Sequence, residues 1–246
     1  MLELKNVDKY YFPTGKKALS GVSFSVGPGE IVGLFGENGA GKTTLMKCIL
    51  GLLDFRGSIR LDGQPLGPRN ITRLSFATCE HSFFPTLTAE GHRSFYEEHF
   101  PSFRRKRYEA LMDFFSLPRH TPVGSLSTGQ KNQFEVILAV SQGADYILMD
   151  EPFAGNDVFN REDFYKVLLG ILEPGETVIL STHLMEEVEP ILSRAILLHS
   201  GEVVADTTME QLEQQGLGLM QFVKQTYHYR SDRVGNALKE LTGEEE

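Results

Sequence analysis

The period of apolar and polar positions changes along the chain. Residues 2–7 alternate, as does Val22-Ser23-Phe24-Ser25-Val26, and both predict half-exposed strands. Between them, Tyr10-Tyr11-Phe12-Pro13 precedes a Gly-Lys-Lys loop. Gly27-Pro28-Gly29 turns into Ile31-Val32-Gly33-Leu34-Phe35, a short continuous apolar run of the kind that fills a buried strand. Thr44–Leu50 is helical in spacing and stops at Gly51. Gly57–Leu61 predicts a strand closed by an Asp62-Gly63 turn, and Leu74–Thr78 predicts another. From about Thr86 to Gly143 the spacing is mostly helical, with breaks at Pro101, Pro118 and Pro122. Phe95, Tyr96, Phe100, Leu111, Phe114 and Phe115 form its apolar faces. Tyr146–Asp150 then predicts a buried strand, Phe159–Leu172 a helix, Thr177–Ser181 a strand and Leu184–Leu192 a helix. A hairpin turns at Ser200-Gly201, and Thr208-x-x-Gln211 is a capping box for a further helix. Periodicity weakens over residues 216–246. Strands alternating with helices predict a mostly parallel sheet with its ligand at the carboxyl ends of the strands.

Composition narrows this picture modestly. The 246 residues are 41% hydrophobic and 23% charged, as expected of a protein with a substantial core. A net charge of −9 argues against nucleic acid as a partner. Cys48 and Cys79 stand apart, so neither a disulfide framework nor a zinc site is expected. Apolar runs such as Val136–Val140 fall far short of the roughly twenty residues of a membrane helix, and no signal peptide is expected. The Arg104-Arg105-Lys106-Arg107 run suits either a solvated helix face or contact with an acidic partner or lipid headgroups.

The chemistry centres on Gly36-Glu37-Asn38-Gly39-Ala40-Gly41-Lys42-Thr43, a complete G-x-x-x-x-G-K-T phosphate loop between a predicted strand and a predicted helix. Its glycines allow backbone N–H groups to turn in around phosphate oxygens, and the helix that follows points its positive end at the same place. Lys42 supplies charge to the β- and γ-phosphates, and the Thr43 hydroxyl is placed for Mg²⁺. Asp150-Glu151 ends a buried strand with two carboxylates that point in different directions. Asp150 is assigned to the metal shell and Glu151 to the general base.

Further motifs agree in order and spacing. Leu126-Ser127-Thr128-Gly129-Gln130 resembles the signature of the ABC transporter ATP-binding subunits, and Asp150-Glu151-Pro152 resembles their Walker B end. Gly155-Asn156-Asp157 resembles the D-loop, and Ser181-Thr182-His183 the switch-histidine motif. The resemblance covers roughly residues 2–210. It implies an α/β fold: a P-loop NTPase core with a mostly parallel sheet, an N-terminal antiparallel β part and an inserted helical subdomain. The nucleotide-binding domain would span 1–215, with the helical subdomain at about 86–143 and a C-terminal extension, helical or loose, over 216–246. Tyr11 falls at the family's adenine-stacking position, with Tyr10 as the other candidate. Nucleotide contacts would come from Gly36, Asn38, Gly39, Ala40, Gly41, Lys42, Thr43 and Thr44, and across a dimer from Ser127, Gly129, Gln130 and Asp157. Ser127 and the Gly129 N–H would form an anion site at a helix N-terminus. His183 would contact the γ-phosphate and position water.

Two positions depart from the family pattern. Thr128 replaces the first glycine of the signature, and Cys79 stands where a metal-binding glutamine is usual. A thiol is a poor ligand for Mg²⁺, which leaves two readings: Glu80 supplies the oxygen by a one-residue shift of the loop, the favoured one, or the loop has given up metal binding and serves only as a contact to the membrane chain. The implied function is an ATPase using ATP and Mg²⁺, pairing head to tail with a second copy and driving a separate permease from the cytoplasmic face of the membrane. An exporter of peptides, drugs or lipids fits best. An ABC ATPase that regulates a membrane partner without transport, or a soluble ABC ATPase, are the alternatives.

Overall fold

The computed structural model describes residues 1–152 and 158–227. The chain starts with two long antiparallel strands, β1 (Leu2–Tyr11) and β2 (Lys16–Val26), and then β3 (Ile31–Phe35) and α1 (Lys42–Ile49). Next come β4 (Arg56–Leu61), the short β5 (Gln64–Pro65) and β6 (Leu74–Thr78). Three helices follow, α2 (Ala89–His99), α3 (Arg105–Phe114) and α4 (Thr128–Ser141), all between β6 and β7 (Tyr146–Asp150). The remainder is α5 (Val158–Ile171), β8 (Thr177–Ser181), α6 (Met185–Val188), β9 (Arg194–His199), β10 (Glu202–Thr208), α7 (Met209–Gln214) and α8 (Leu219–Thr226).

The strands form two sheets. One is antiparallel, in the order β2-β1-β4-β5; the other runs β10-β9-β3-β8-β7-β6. In the second sheet β9, β3, β8, β7 and β6 are parallel, and β10 adds an antiparallel edge. The molecule is thus α/β with a mostly parallel central sheet and an N-terminal antiparallel sheet. The continuous apolar runs follow from this layering, because the central strands are covered on both faces. Leu148, Ile179 and Ile196 face one core together with Leu45, Met46 and the antiparallel sheet. Their neighbours Ile147, Met149, Val178 and Leu197 face a second core with Phe134, Ile137 and Val140 of α4.

Several expectations change. Lys16 and Lys17 lie in β2, paired with Tyr11 and Tyr10, so the loop is shorter than the Gly-Lys-Lys reading implied. The helix expected over Leu184–Leu192 is α only to Val188. A single 3-10 turn carries Glu189–Ile191, where Pro190 lacks the N–H that a continuing helix would use. Leu111 is buried, but Phe114 on the same helix is 53% exposed. Residues 219–226 form a helix whose Leu219 and Val223 enter the core.

The basic run divides: Arg105 and Lys106 are exposed, as on a solvated face, whereas Arg104 and Arg107 turn inward. Arg107 is buried and forks onto Glu176, with Nη1 2.9 Å from Oε1 and Nη2 3.0 Å from Oε2. The same guanidinium donates to the Val140 and Ile171 carbonyls at the ends of α4 and α5. Arg104 pairs with Glu173 and Glu176, and Arg105 with Glu109. Arg104 and Arg107 therefore fasten the inserted helices to the turn ahead of β8, as a bidentate arginine does where planar donors meet a carboxylate.

Candidate active site

The phosphate loop leaves β3 at Phe35 and enters α1 at Lys42. Its backbone requires glycine at two places. A Cβ on Gly36 would lie 2.3 Å from the Leu198 carbonyl oxygen, and Gly41, at φ +109°, would place one 2.8 Å from that of Ala18. Gly39, at φ +83°, has open space around its missing side chain. The loop is braced from behind, with Gly201 N–H donating to the Ala40 carbonyl at 2.9 Å.

In front of the loop lies a cleft of about 430 Å³, lined by Tyr11, Asn38, Gly39, Gly41, Lys42, Thr43, Thr44, Asp150, Glu151 and His183. Lys42 is 7% exposed and folds back over the loop, donating from Nζ to the carbonyls of Gly36 at 2.7 Å and Glu37 at 3.2 Å. Burial lowers its pKa, and the charges of Glu151 and Asp150 oppose that shift. Tyr11 reaches across the mouth, its hydroxyl 3.1 Å from Thr44 Oγ1. Tyr10 is instead flanked by Lys17 and Arg56 and does not line this cleft.

The acidic pair is held by β8. Ser181 donates its hydroxyl to Asp150 Oδ1, and Glu151 N–H donates to the Ser181 carbonyl at 3.0 Å. Glu151 takes the left-handed conformation, φ +49°, unusual for a side chain of its size and a form of strain found at functional turns. The turn aims its carboxylate at His183, with Nε2 3.1 Å from Oε1. Burial raises the Glu151 pKa, while His183 and Lys42 pull it back. A carboxylate tuned upward is a stronger base near neutral pH.

The other expected residues lie elsewhere. Ser127 caps α4 in a capping box: Gln130 N–H donates to Ser127 Oγ at 3.3 Å, and Ser127 N–H to Gln130 Oε1 at 3.1 Å. Ser127 and Thr128 are exposed, and Ser127, Gly129 and Gln130 do not line the chain's own cleft. Gly36 and Ala40 shape the loop rather than line the cleft. Asp157 lies outside the described residues. Glu80 does not reach the cleft: it pairs with Lys47 at 2.7 Å, and its side chain is 63% exposed. Cys79 is nearer the acids. Burial and the charge of Asp150 push its thiol pKa up, with Glu80 and Glu151 adding to the shift. Lys16, Lys17, Ala18 and Ser200 line the cleft without having been expected there. The register of the β1–β2 hairpin, which sets Lys16 opposite Tyr11, was the missing signal.

The donor set suits a nucleotide triphosphate. An open glycine faces a cleft with a buried lysine at its floor, a threonine pair at a helix N-terminus and two carboxylates opposite. Among the described residues no cluster of three His, Cys, Asp or Glu side chains could hold a metal by itself, and no helix is long and apolar enough to cross a membrane.

Comparison with known proteins agrees with the site. The family profile described as ABC transporter matches residues 19–154. The lipopolysaccharide export system ATP-binding protein LptB of Haemophilus influenzae is 31% identical over 224 residues, covering 86% of this chain and 92% of that protein. The SkfA peptide export ATP-binding protein SkfE of Bacillus subtilis is 30% identical, covering 87% and 92%. A solved ATP-binding subunit of an ABC transporter superposes with a TM-score of 0.75 at 29% identity, over 92% of this chain and 98% of that one. The cassette MJ0796, solved as a post-hydrolysis dimer with ADP and Pi, gives a TM-score of 0.74 at 26% identity, over 85% and 99%.

Proposed function

Because the chain belongs to the ABC transporter family and is one of its ATPase cassettes, we propose that two copies close head to tail around two Mg-ATP and drive a separate membrane permease, as an export system does. The observation that carries the reading is the exposed, Ser127-capped N-terminus of α4, a helix end of the kind that suits an anion, which does not line the chain's own phosphate-loop cleft. In a head-to-tail pair it would complete the partner's site. Export of a peptide, drug or lipid is supported by the likeness to LptB and SkfE, the ATP-binding proteins of a lipopolysaccharide and a peptide export system. Attachment to the cytoplasmic side of a membrane follows from the need for a permease in a chain with no spanning helix among its described residues.

Each residue's part follows from its position. The loop N–H groups and Lys42 bind and orient the phosphates. Thr43 and Asp150 would hold Mg²⁺, which supplies charge neutralisation at the phosphate oxygens. Glu151 takes a proton from water, and His183, on its outer side, steers that carboxylate and the γ-phosphate end of the cleft. Tyr11 stacks on the base.

Two outcomes test these assignments. A stacking contact contributes about 1–3 kcal/mol whatever the base, so GTP should be hydrolysed within about tenfold of the ATP rate. Steady-state rates for both nucleotides decide it, and rejection of GTP by orders of magnitude would reveal a base-reading group. Glu80 is committed to Lys47, so Glu80→Ala should leave the Mg²⁺ dependence of the ATPase rate unchanged. A curve displaced to higher Mg²⁺ would restore Glu80 as a ligand.

A further inference from the structure

The loop from Cys79 to Phe84, between β6 and α2, is gripped by three helices. Lys47 of α1 holds Glu80 at 2.7 Å, and Phe84 N–H donates to His92 Nε2 of α2 at 3.0 Å. Between them, Glu135 of α4 holds Ser82. The Ser82 N–H donates to Oε1 at 3.1 Å and Oε2 at 3.2 Å, and its hydroxyl donates to Oε1. Glu135 is 2% exposed, and its neighbours Phe134, Val136 and Ile137 are all core residues. An acid in such a place is costly unless it is hydrogen-bonded. Burial pushes its carboxyl up to about 6, and the Ser82 donors oppose that. Packing alone would favour an apolar side chain here.

The helices at the two ends of this grip each begin at an anion-binding terminus. α1 starts at the phosphate loop, and α4 starts at Ser127. In the dimer these termini would serve different nucleotides, because the α4 end does not line its own cleft. Resting on the head-to-tail reading above, we propose that Glu135 is a positioning residue: by gripping Ser82 it makes the Cys79–Phe84 loop a strut between α1 and α4. The phosphate loop of one site and the signature end of the other are then placed through this one shared contact. Glu135 touches no nucleotide. It sets the relative placement of two halves that meet only when the dimer closes, so its loss should affect turnover and spare ATP binding by the open chain.

Full-length wild type, Ser82→Ala, Glu135→Gln, the double variant and Ser82→Thr should be compared with Mg-ATP. The readouts are steady-state kcat, ATP affinity by calorimetry and the thermal unfolding midpoint. Ser82→Ala and Glu135→Gln should each lower kcat about tenfold, the effect of roughly one charge-assisted hydrogen bond on a barrier. ATP affinity should stay at the wild-type value, and the midpoint should fall by no more than a few degrees, as for the loss of about one hydrogen bond. The double variant should lose less than the two single losses combined, because both changes weaken the same contact: Ser82→Ala leaves the backbone N–H donor, and Glu135→Gln leaves an accepting oxygen. Ser82→Thr, which keeps the hydroxyl and the N–H, should retain wild-type kcat. Unchanged kcat in Ser82→Ala overturns the proposal, as do additive losses or a loss that tracks the unfolding midpoint. Ser82 is exposed, so that variant decides even if Glu135→Gln fails to fold. A wild-type protein that binds no ATP overturns this proposal and the ATPase reading together. Normal wild-type turnover with unaffected variants overturns this proposal alone.

Discussion

Glu151→Gln is expected to retain ATP binding and to lose about 10²–10⁴ in hydrolysis rate, the range of a general base. The amide keeps the shape of the side chain and can still meet His183, but it cannot take a proton from water. The wild-type carboxylate is built for that step: the left-handed turn at Glu151 swings it out of β7, and burial makes it more basic. A group whose pKa is raised becomes a competent base only at higher pH. The acid limb of the wild-type rate profile should therefore lie above the ordinary carboxylate range and vanish in the variant. Single-turnover rates across pH check both points. A variant within a few-fold of wild type would move the base to another residue.

Lys42→Ala should weaken ATP binding by roughly ten- to a hundredfold. A hydrogen bond to a charged group contributes about 1.5–3 kcal/mol, and each 1.4 kcal/mol is tenfold in affinity. Lys42 has two tasks. It bridges the Gly36 and Glu37 carbonyls and so holds the loop closed, and it places a buried ammonium at the cleft floor. Alanine removes the charge and leaves those carbonyls facing the triphosphate. They border an open cleft, so the fold itself should survive, and an unfolding midpoint near wild type would separate the two effects. Equal nucleotide affinity in calorimetric titrations would remove Lys42 from the site.

The parts of this molecule that are local in sequence were legible in it. The phosphate loop is eight consecutive residues with fixed spacing. β3, β7 and β8 were visible as continuous apolar runs because a separate core covers each face. The capping box at Thr208 sits three residues from its partner and forms as read, and Ser127 closes a second one of the same kind. The parts that failed depend on distant partners. Arg107 meets Glu176, 69 positions along the chain, and Glu80 meets Lys47, 33 positions back. No periodicity encodes such pairs, so Arg107 looked no different from its exposed neighbours Arg105 and Lys106, and Glu80 looked available to a metal. Lys16 was missed for a similar reason: its place in the cleft is set by cross-strand register to Tyr11 and not by any motif.

Light scattering of Glu151→Gln at saturating Mg-ATP tests the central claim, that each nucleotide site is completed by a second chain, most directly. The head-to-tail account predicts the mass of one chain without nucleotide and of two chains with it. It also predicts that adding Ser127→Glu, which sets a like charge at the exposed anion-binding end of α4, returns the protein to one chain while ATP still binds. A Glu151→Gln protein that binds ATP by calorimetry yet keeps the mass of one chain throughout would contradict it.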